Sequence, residues 1–263
     1  MKRRAIFLSA VMSSVLWIAI SFWMNDREEM VALAAAPGAK AESIARGGLL
    51  YDAWWKVVPG AKEPKDNQPV WALQTTNKRK GSVTWRCKEC HGWDYKGKDG
   101  AYGSGSHKTG FPGVWNAAQK KSANELAAIL RGSANPQHNF SSVLRPEDIA
   151  DLANFLKGGL LDTMKYVDYK SKKPIGGDVE RGKTQYVLCG ACHGPDGKKL
   201  NFGTDKDPEY VGTVAKENPQ EFLHKIRMGQ PGSEPPMPAA LVLGWDIKQI
   251  LDILAYAQTL PEK

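Results

Sequence analysis

Two pentads hold all four cysteines of the chain, Cys87-Lys88-Glu89-Cys90-His91 and Cys189-Gly190-Ala191-Cys192-His193. In C-x-x-C-H the two thiols stand on one turn of chain, where each can add to a vinyl group of a porphyrin. The next residue sets an imidazole under the iron. Attachment and ligation are coupled in five residues. The spacing therefore predicts two covalently bound haem c groups, joined through Cys87, Cys90, Cys189 and Cys192, with His91 and His193 as iron ligands. A zinc ribbon wants its C-x-x-C pairs about 15 to 20 residues apart and needs no histidine after each. A dithiol redox site would leave both histidines unexplained. No cysteine is left over for a disulfide or a nucleophile, and no catalytic residue is assigned.

A haem iron in an electron carrier usually takes a second protein ligand, and methionine there raises the potential. In the second half, Gly229 to Pro238 reads G-Q-P-G-S-E-P-P-M-P, a stiff loop that offers Met237 as the ligand opposite His193. Met228, at the end of the preceding helix, reads as packing. No methionine lies between Glu42 and Thr163, so the first haem must look elsewhere. His138, in Asn135-Pro136-Gln137-His138, occupies nearly the place of Met237 and is the expected partner of His91. His107, a lysine or an open position are the alternatives. His224 reads as a plain helix residue. Pro112 and Pro208 stand where a backbone carbonyl could hold the other nitrogen of each proximal imidazole.

These ligands need elements to carry them, and the flanks of the two pentads repeat in the same order. Arg46-Gly47-x-x-x-Tyr51 and Arg181-Gly182-x-x-x-Tyr186 precede them, and Gly92-x-Asp94 and Gly194-x-Asp196 follow. Each half then shows a capped helix. Ser122-x-x-Glu125 opens the first, and Asn218-Pro219-x-Glu221 opens the second. Each half closes on an amphipathic helix: Pro146 to Lys157, with Ile149, Leu152, Ala153 and Leu156 on one face, and Trp245 to Gln258, with Ile247, Ile250, Leu251 and Leu254. The pattern predicts domains at 41–163 and 177–263, joined by a lysine-rich linker at 164–176. Tyr186 is close to its pentad while Tyr51 is far from its own, which marks an insertion at about 52–85 in the first domain. It holds Trp54, Trp55, Trp71 and Trp85 and the run Lys78-Arg79-Lys80. Packing over a haem edge is the preferred reading of so many aromatics, with a docking surface as the alternative.

Residues 1–40 begin with Lys2, Arg3 and Arg4, followed by an uncharged run from Ala5 to Met24. This is the order of a signal anchor or signal peptide, and the run is about the 20 residues that span a bilayer. An uncleaved anchor is preferred over cleavage near Val31 to Ala36. The rest of the chain then lies on the periplasmic side of a bacterial inner membrane, or is soluble in the periplasm if the segment is cleaved. The net charge of +8 is carried by the first half and the linker, while residues 177–263 hold more acidic than basic side chains. A basic half suits an acidic redox partner or an anionic membrane surface. A solvated lysine-rich surface is the bland alternative, and nucleic acid is excluded for an exported chain.

Over about residues 41–260 the sequence resembles the class I cytochrome c family, specifically its tandem di-haem members. The shared features are R-G-x-x-x-Y, C-x-x-C-H-G, the following proline, the Met-Pro loop at Met237 and the closing helix that ends Leu254-Ala255-Tyr256. The resemblance implies an all-α fold of two tandem domains, each wrapped around a haem, and one-electron transfer between redox protein partners. A di-haem oxidoreductase with a small-molecule site at haem 1, or a cytochrome subunit of a larger dehydrogenase or oxidase, are the competing functions. The first domain departs from the family pattern in its insertion and its missing methionine.

Overall fold

Caps and apolar periodicity decide where the elements begin. A computed structural model of the chain describes residues 37–263, and among these the regular structure is helical. No strand forms, and extended pairing is confined to three isolated bridges. The helices of the first half are α1 (Pro37–Ala53), α2 (Cys87–His91), α3 (Trp115–Lys120), α4 (Ala123–Leu130) and α5 (Pro146–Gly158). Those of the second are α6 (Val179–His193), α7 (Val211–Glu217), α8 (Pro219–Met228) and α9 (Ile247–Ala257). The expected membrane or signal segment lies outside the described residues. No described helix is long and apolar enough to cross a membrane.

Each start has its local cause. At α4 the Ser122 hydroxyl accepts from the Glu125 N–H and the Glu125 carboxylate accepts from the Ser122 N–H, so two orphan donors are satisfied reciprocally. The Asn218 side chain accepts from the Glu221 N–H to open α8, with Pro219 in the first turn, where its missing N–H costs nothing. Asp246 and Gln249 form the same reciprocal box at α9, which starts two residues later than the apolar pattern alone suggests.

The repeated Arg-Gly pair has a packing cause. A Cβ at Gly47 would stand 2.1 Å from the Asp151 carbonyl oxygen, and one at Gly182 would stand 1.9 Å from that of Asp252. Only glycine lets the leading helix of each half lie this close against the closing helix. The neighbouring arginine then spans the contact. Arg46 pairs with Asp148 and Asp151 of α5, and Arg181 with Asp252 of α9 at 2.8 Å. The tyrosine one turn later packs on the same closing helix, Tyr51 on Phe155 and Tyr186 on Tyr256.

One difference separates the halves. In the second, the leading helix α6 runs unbroken from its cap at Asp178 through the pentad to His193. In the first, α1 ends at Ala53 and α2 begins at Cys87. Three short 3-10 turns occupy the space between, at Trp54–Lys56, Pro69–Leu73 and Gly81–Trp85. Two apolar clusters form, one on Leu50, Tyr51, Ile149, Leu152 and Phe155, the other on Tyr186, Leu223, Ile250 and Leu254. They are not independent, because Met228 of α8 belongs to the first cluster and lies against Gly48 of α1. Residues 41–263 make one compact unit.

Candidate haem centres

At the first pentad, α2 is a single turn ended by Gly92, whose φ of 79° only glycine adopts without strain. Asp94 then accepts from the Lys96 and Ala101 N–H groups and turns the chain away. These bonds leave the His91 ring directed at the loop that follows, where its Nδ1 lies 2.7 Å from the Pro112 carbonyl oxygen. That contact requires Nδ1 to carry the proton, so Nε2 keeps its lone pair for a metal. Burial lowers the His91 pKa to about 4, which also maintains the neutral, ligating form. The Gly92 carbonyl accepts from the Tyr51 hydroxyl at 2.7 Å, tying the pentad to α1.

His138 faces this ring. The two imidazole centroids are 6.2 Å apart with planes 77° from parallel. Two iron–nitrogen bonds of about 2 Å each, plus the ring radii, fill such a gap. The first centre therefore fits a six-coordinate haem held by two histidines. Around it stand Cys87 and the aromatic side chains of Trp54, Trp85 and Phe140. The insertion thus packs inward, with Trp54, Trp55 and Trp71 buried and Trp85 half-buried. His107 is engaged elsewhere: its Nδ1 lies 3.2 Å from the Glu89 carboxylate and its ring stacks on Tyr102.

Glu89 sits inside the pentad and is fully buried. Burial pushes its pKa up, yet the bonds and charges of His107, Lys88 and Asn77 outweigh this and hold it at about 2. Asn77 donates at 2.9 Å, Arg79 lies at 3.4 Å, and Lys88 stands 3.1 Å from the second oxygen. The pentad spacing gives no reason to expect a buried anion at its centre. The basic run Lys78-Arg79-Lys80 in the insertion is the sequence signal that could have suggested one.

At the second pentad, α6 ends at Gly194 with φ of 82°, and Asp196 accepts from the Lys198 N–H, repeating the first turn. The His193 ring meets Phe202 at 5.7 Å between centroids. Here the repeat stops short, since His193 Nδ1 has no partner and the Pro208 carbonyl does not serve it as Pro112 serves His91. Apolar side chains near this pentad face outward. Val187 and Leu188 are 72% and 69% exposed, and Leu200 and Phe202 are exposed too. Apolar side chains beside two cysteines and a histidine suit the face of a porphyrin. Met237 lies half-buried in the loop before α9, its N–H donating to the Ser233 hydroxyl at 2.9 Å and its carbonyl packed against Gly229.

His224 is not a plain helix residue. It is 1% exposed and projects from α8 into the first half. Its Nε2 lies 3.1 Å from the Gly48 carbonyl oxygen and its Nδ1 2.9 Å from the Tyr95 hydroxyl. Trp93, Tyr51 and Phe155 surround the ring. Beside it the buried Asp52 carboxylate joins Arg86 of the first half to Lys225 of the second. Arg86, Lys88 and Lys225 all stand over the Trp93 ring, at 5.8, 5.3 and 5.3 Å. Helical spacing places His224 on α8 but carries no information about a partner so distant in the chain.

Residues 79–159 match the family model for cytochrome c, a stretch that includes the first pentad, Pro112, His138 and α5. No curated protein and no solved structure matches the chain.

Proposed function

We propose that this chain, a class I c-type cytochrome through its domain at residues 79–159, carries two haem c groups and passes single electrons between them and external redox proteins. The cytochrome c domain itself carries a haem-based electron-transfer role. Haem 1 is joined through Cys87 and Cys90 and ligated by His91 and His138. Haem 2 is joined through Cys189 and Cys192 and ligated by His193 and Met237.

The observation that carries this reading is the pair of facing imidazoles at 6.2 Å, one of them anchored on the Pro112 carbonyl. With His91 and His138 both placed to ligate haem 1, an electron carrier would be favoured over a substrate site there. The protein's part in transfer is to bury the haem, fix the protonation of its ligands and hold the ligands still, so that little rearranges when the charge changes. A methionine ligand would raise the potential of haem 2 above that of haem 1, so electrons would enter at haem 1 and leave at haem 2. The basic first half suits an acidic partner, and residues 1–40 suit an anchor that keeps the unit on the periplasmic face of the inner membrane.

The test is near-infrared magnetic circular dichroism on the wild type and on His138→Ala, with haem content measured per chain. The expected result is two haems per wild-type chain, with a bis-histidine band that disappears in the variant while the His/Met band persists. An unchanged haem 1 spectrum in His138→Ala would overturn the ligand assignment. One haem per chain would overturn the di-haem reading.

A further inference from the structure

We propose that the insertion at residues 52–85 is an alignment clamp for the axial imidazoles of haem 1, holding the two rings crossed through Gln68 and Asn77 as positioning residues. The inference rests on the bis-histidine reading of haem 1.

Gln68 is buried and every polar group on it is used. Its N–H donates to the Thr84 hydroxyl at 2.9 Å and its Oε1 accepts from the Val70 N–H at 2.6 Å. Its Nε2 donates to the Gln137 carbonyl at 3.1 Å. That carbonyl belongs to the peptide bond leading into His138, so the bond fixes the plane from which the imidazole projects. The His138 N–H in turn donates to the Asn135 carbonyl at 2.8 Å, and a bridge between Arg131 and Asn139 closes the loop.

The other arm reaches the pentad. Asn77 donates to Glu89 at 2.9 Å, between the two cysteines and two residues ahead of His91. Asn77 is itself held, its N–H donating to the Gln74 side chain at 2.8 Å and its Oδ1 accepting from the Arg79 N–H at 3.1 Å. The Trp71 indole donates to the Arg79 carbonyl at 3.1 Å, which ties the two arms into one body. One helical turn and the loop at 131–139 have little stiffness of their own, and this shared support supplies it. The second half needs none at its pentad, because α6 is continuous there.

The consequence is electronic. With the two ring planes 77° apart, the π orbital of each imidazole would meet a different one of the two dπ orbitals of a bound iron, leaving these close in energy. Such a ferric haem gives a highly anisotropic low-spin signal with one dominant low-field feature. Parallel rings would separate the two orbitals and give a rhombic three-line spectrum.

The experiment is low-temperature EPR with near-infrared magnetic circular dichroism on the full ferric holoprotein, on Gln68→Met and on Asn77→Ala. Loss of the bis-histidine band from the wild-type dichroism would sink the ligand reading and this proposal with it. With that band present, the wild type is expected to show the highly anisotropic signal, and a rhombic one would overturn the crossing. Gln68→Met keeps size and burial but removes both the Nε2 donor to Gln137 and the Oε1 acceptor that caps the Val70 N–H. It is expected to keep the bis-histidine band while part or all of the haem 1 signal becomes rhombic, with the haem 2 signal in the same spectrum unmoved. Haem 1 signals identical to wild type in the variants would overturn the clamp. Should Gln68→Met fail to fold, Asn77→Ala is judged by the same criterion.

Discussion

At the scale of the residue, His224 is a buried imidazole whose place is set by packing and hydrogen bonds between the two halves. Both of its nitrogens are occupied, by Gly48 and Tyr95, and four aromatic rings enclose it. Replacing it with phenylalanine retains most of the packing and strands a carbonyl and a hydroxyl, at about 1 to 3 kcal/mol for each group. The expected outcome for His224→Phe is a fall of that order in urea-unfolding free energy with the haem 1 dichroism unchanged. A variant as stable as wild type would remove His224 from the contacts that hold the halves together. The contact of His91 with the Pro112 carbonyl was legible because the pentad and the proline after it mark both partners in the sequence. His224 was not, because its partners lie far away in sequence and α8 would have the same period with any residue there.

Among the elements, the closest contact is between the leading and closing helices of each half, and glycine permits it twice. Gly47→Ala would press a methyl group into the Asp151 carbonyl and the Phe155 side chain, and Gly182→Ala into the Asp252 carbonyl. Both contacts include backbone, which yields less readily than a flexible side chain, so each variant is expected to lose about 1 to 3 kcal/mol or more. Parallel thermal melts of the two would check this, and a neutral result in both would mean that the helices slide apart freely. The caps at Ser122 and Asn218 could be read directly, since their chemistry is completed within three residues. The apolar faces of α5 and α9 were equally plain, because burial there follows helical period. The interior of the insertion was not legible. Its 3-10 turns have no amphipathic period, and its bonds, such as Gln68 to Gln137 and Asn77 to Glu89, join residues whose proximity only folding creates.

For the molecule as a whole, acid is expected to weaken the contact where the halves meet. Burial lowers the His224 pKa from 6.5 to about 3. Asp52 opposes this, while Lys225 and Arg227 reinforce it. The Tyr95 hydroxyl on the His224 ring and the Tyr51 hydroxyl on the Gly92 carbonyl stay neutral, their own pKa values raised by burial. Between these two pH values the unfolded chain binds the proton and the folded one does not, so stability rises with pH up to 6.5 and is then flat in this contribution. The expected difference in slope between wild type and His224→Phe is about 1.4 kcal/mol per pH unit between 3 and 6.5. Urea titrations across that range would measure it, and equal slopes in both proteins would refute the assignment. The contact between His224 and Gly48 closes a loop of 176 residues, and that with Tyr95 one of 129. Contacts this distant in sequence form after local ones, because the chain entropy of closing them must be met first. Each pentad can thus find its own helix while the seam between the halves is still open. The seam is expected to close late in folding, once α8 has formed and docked.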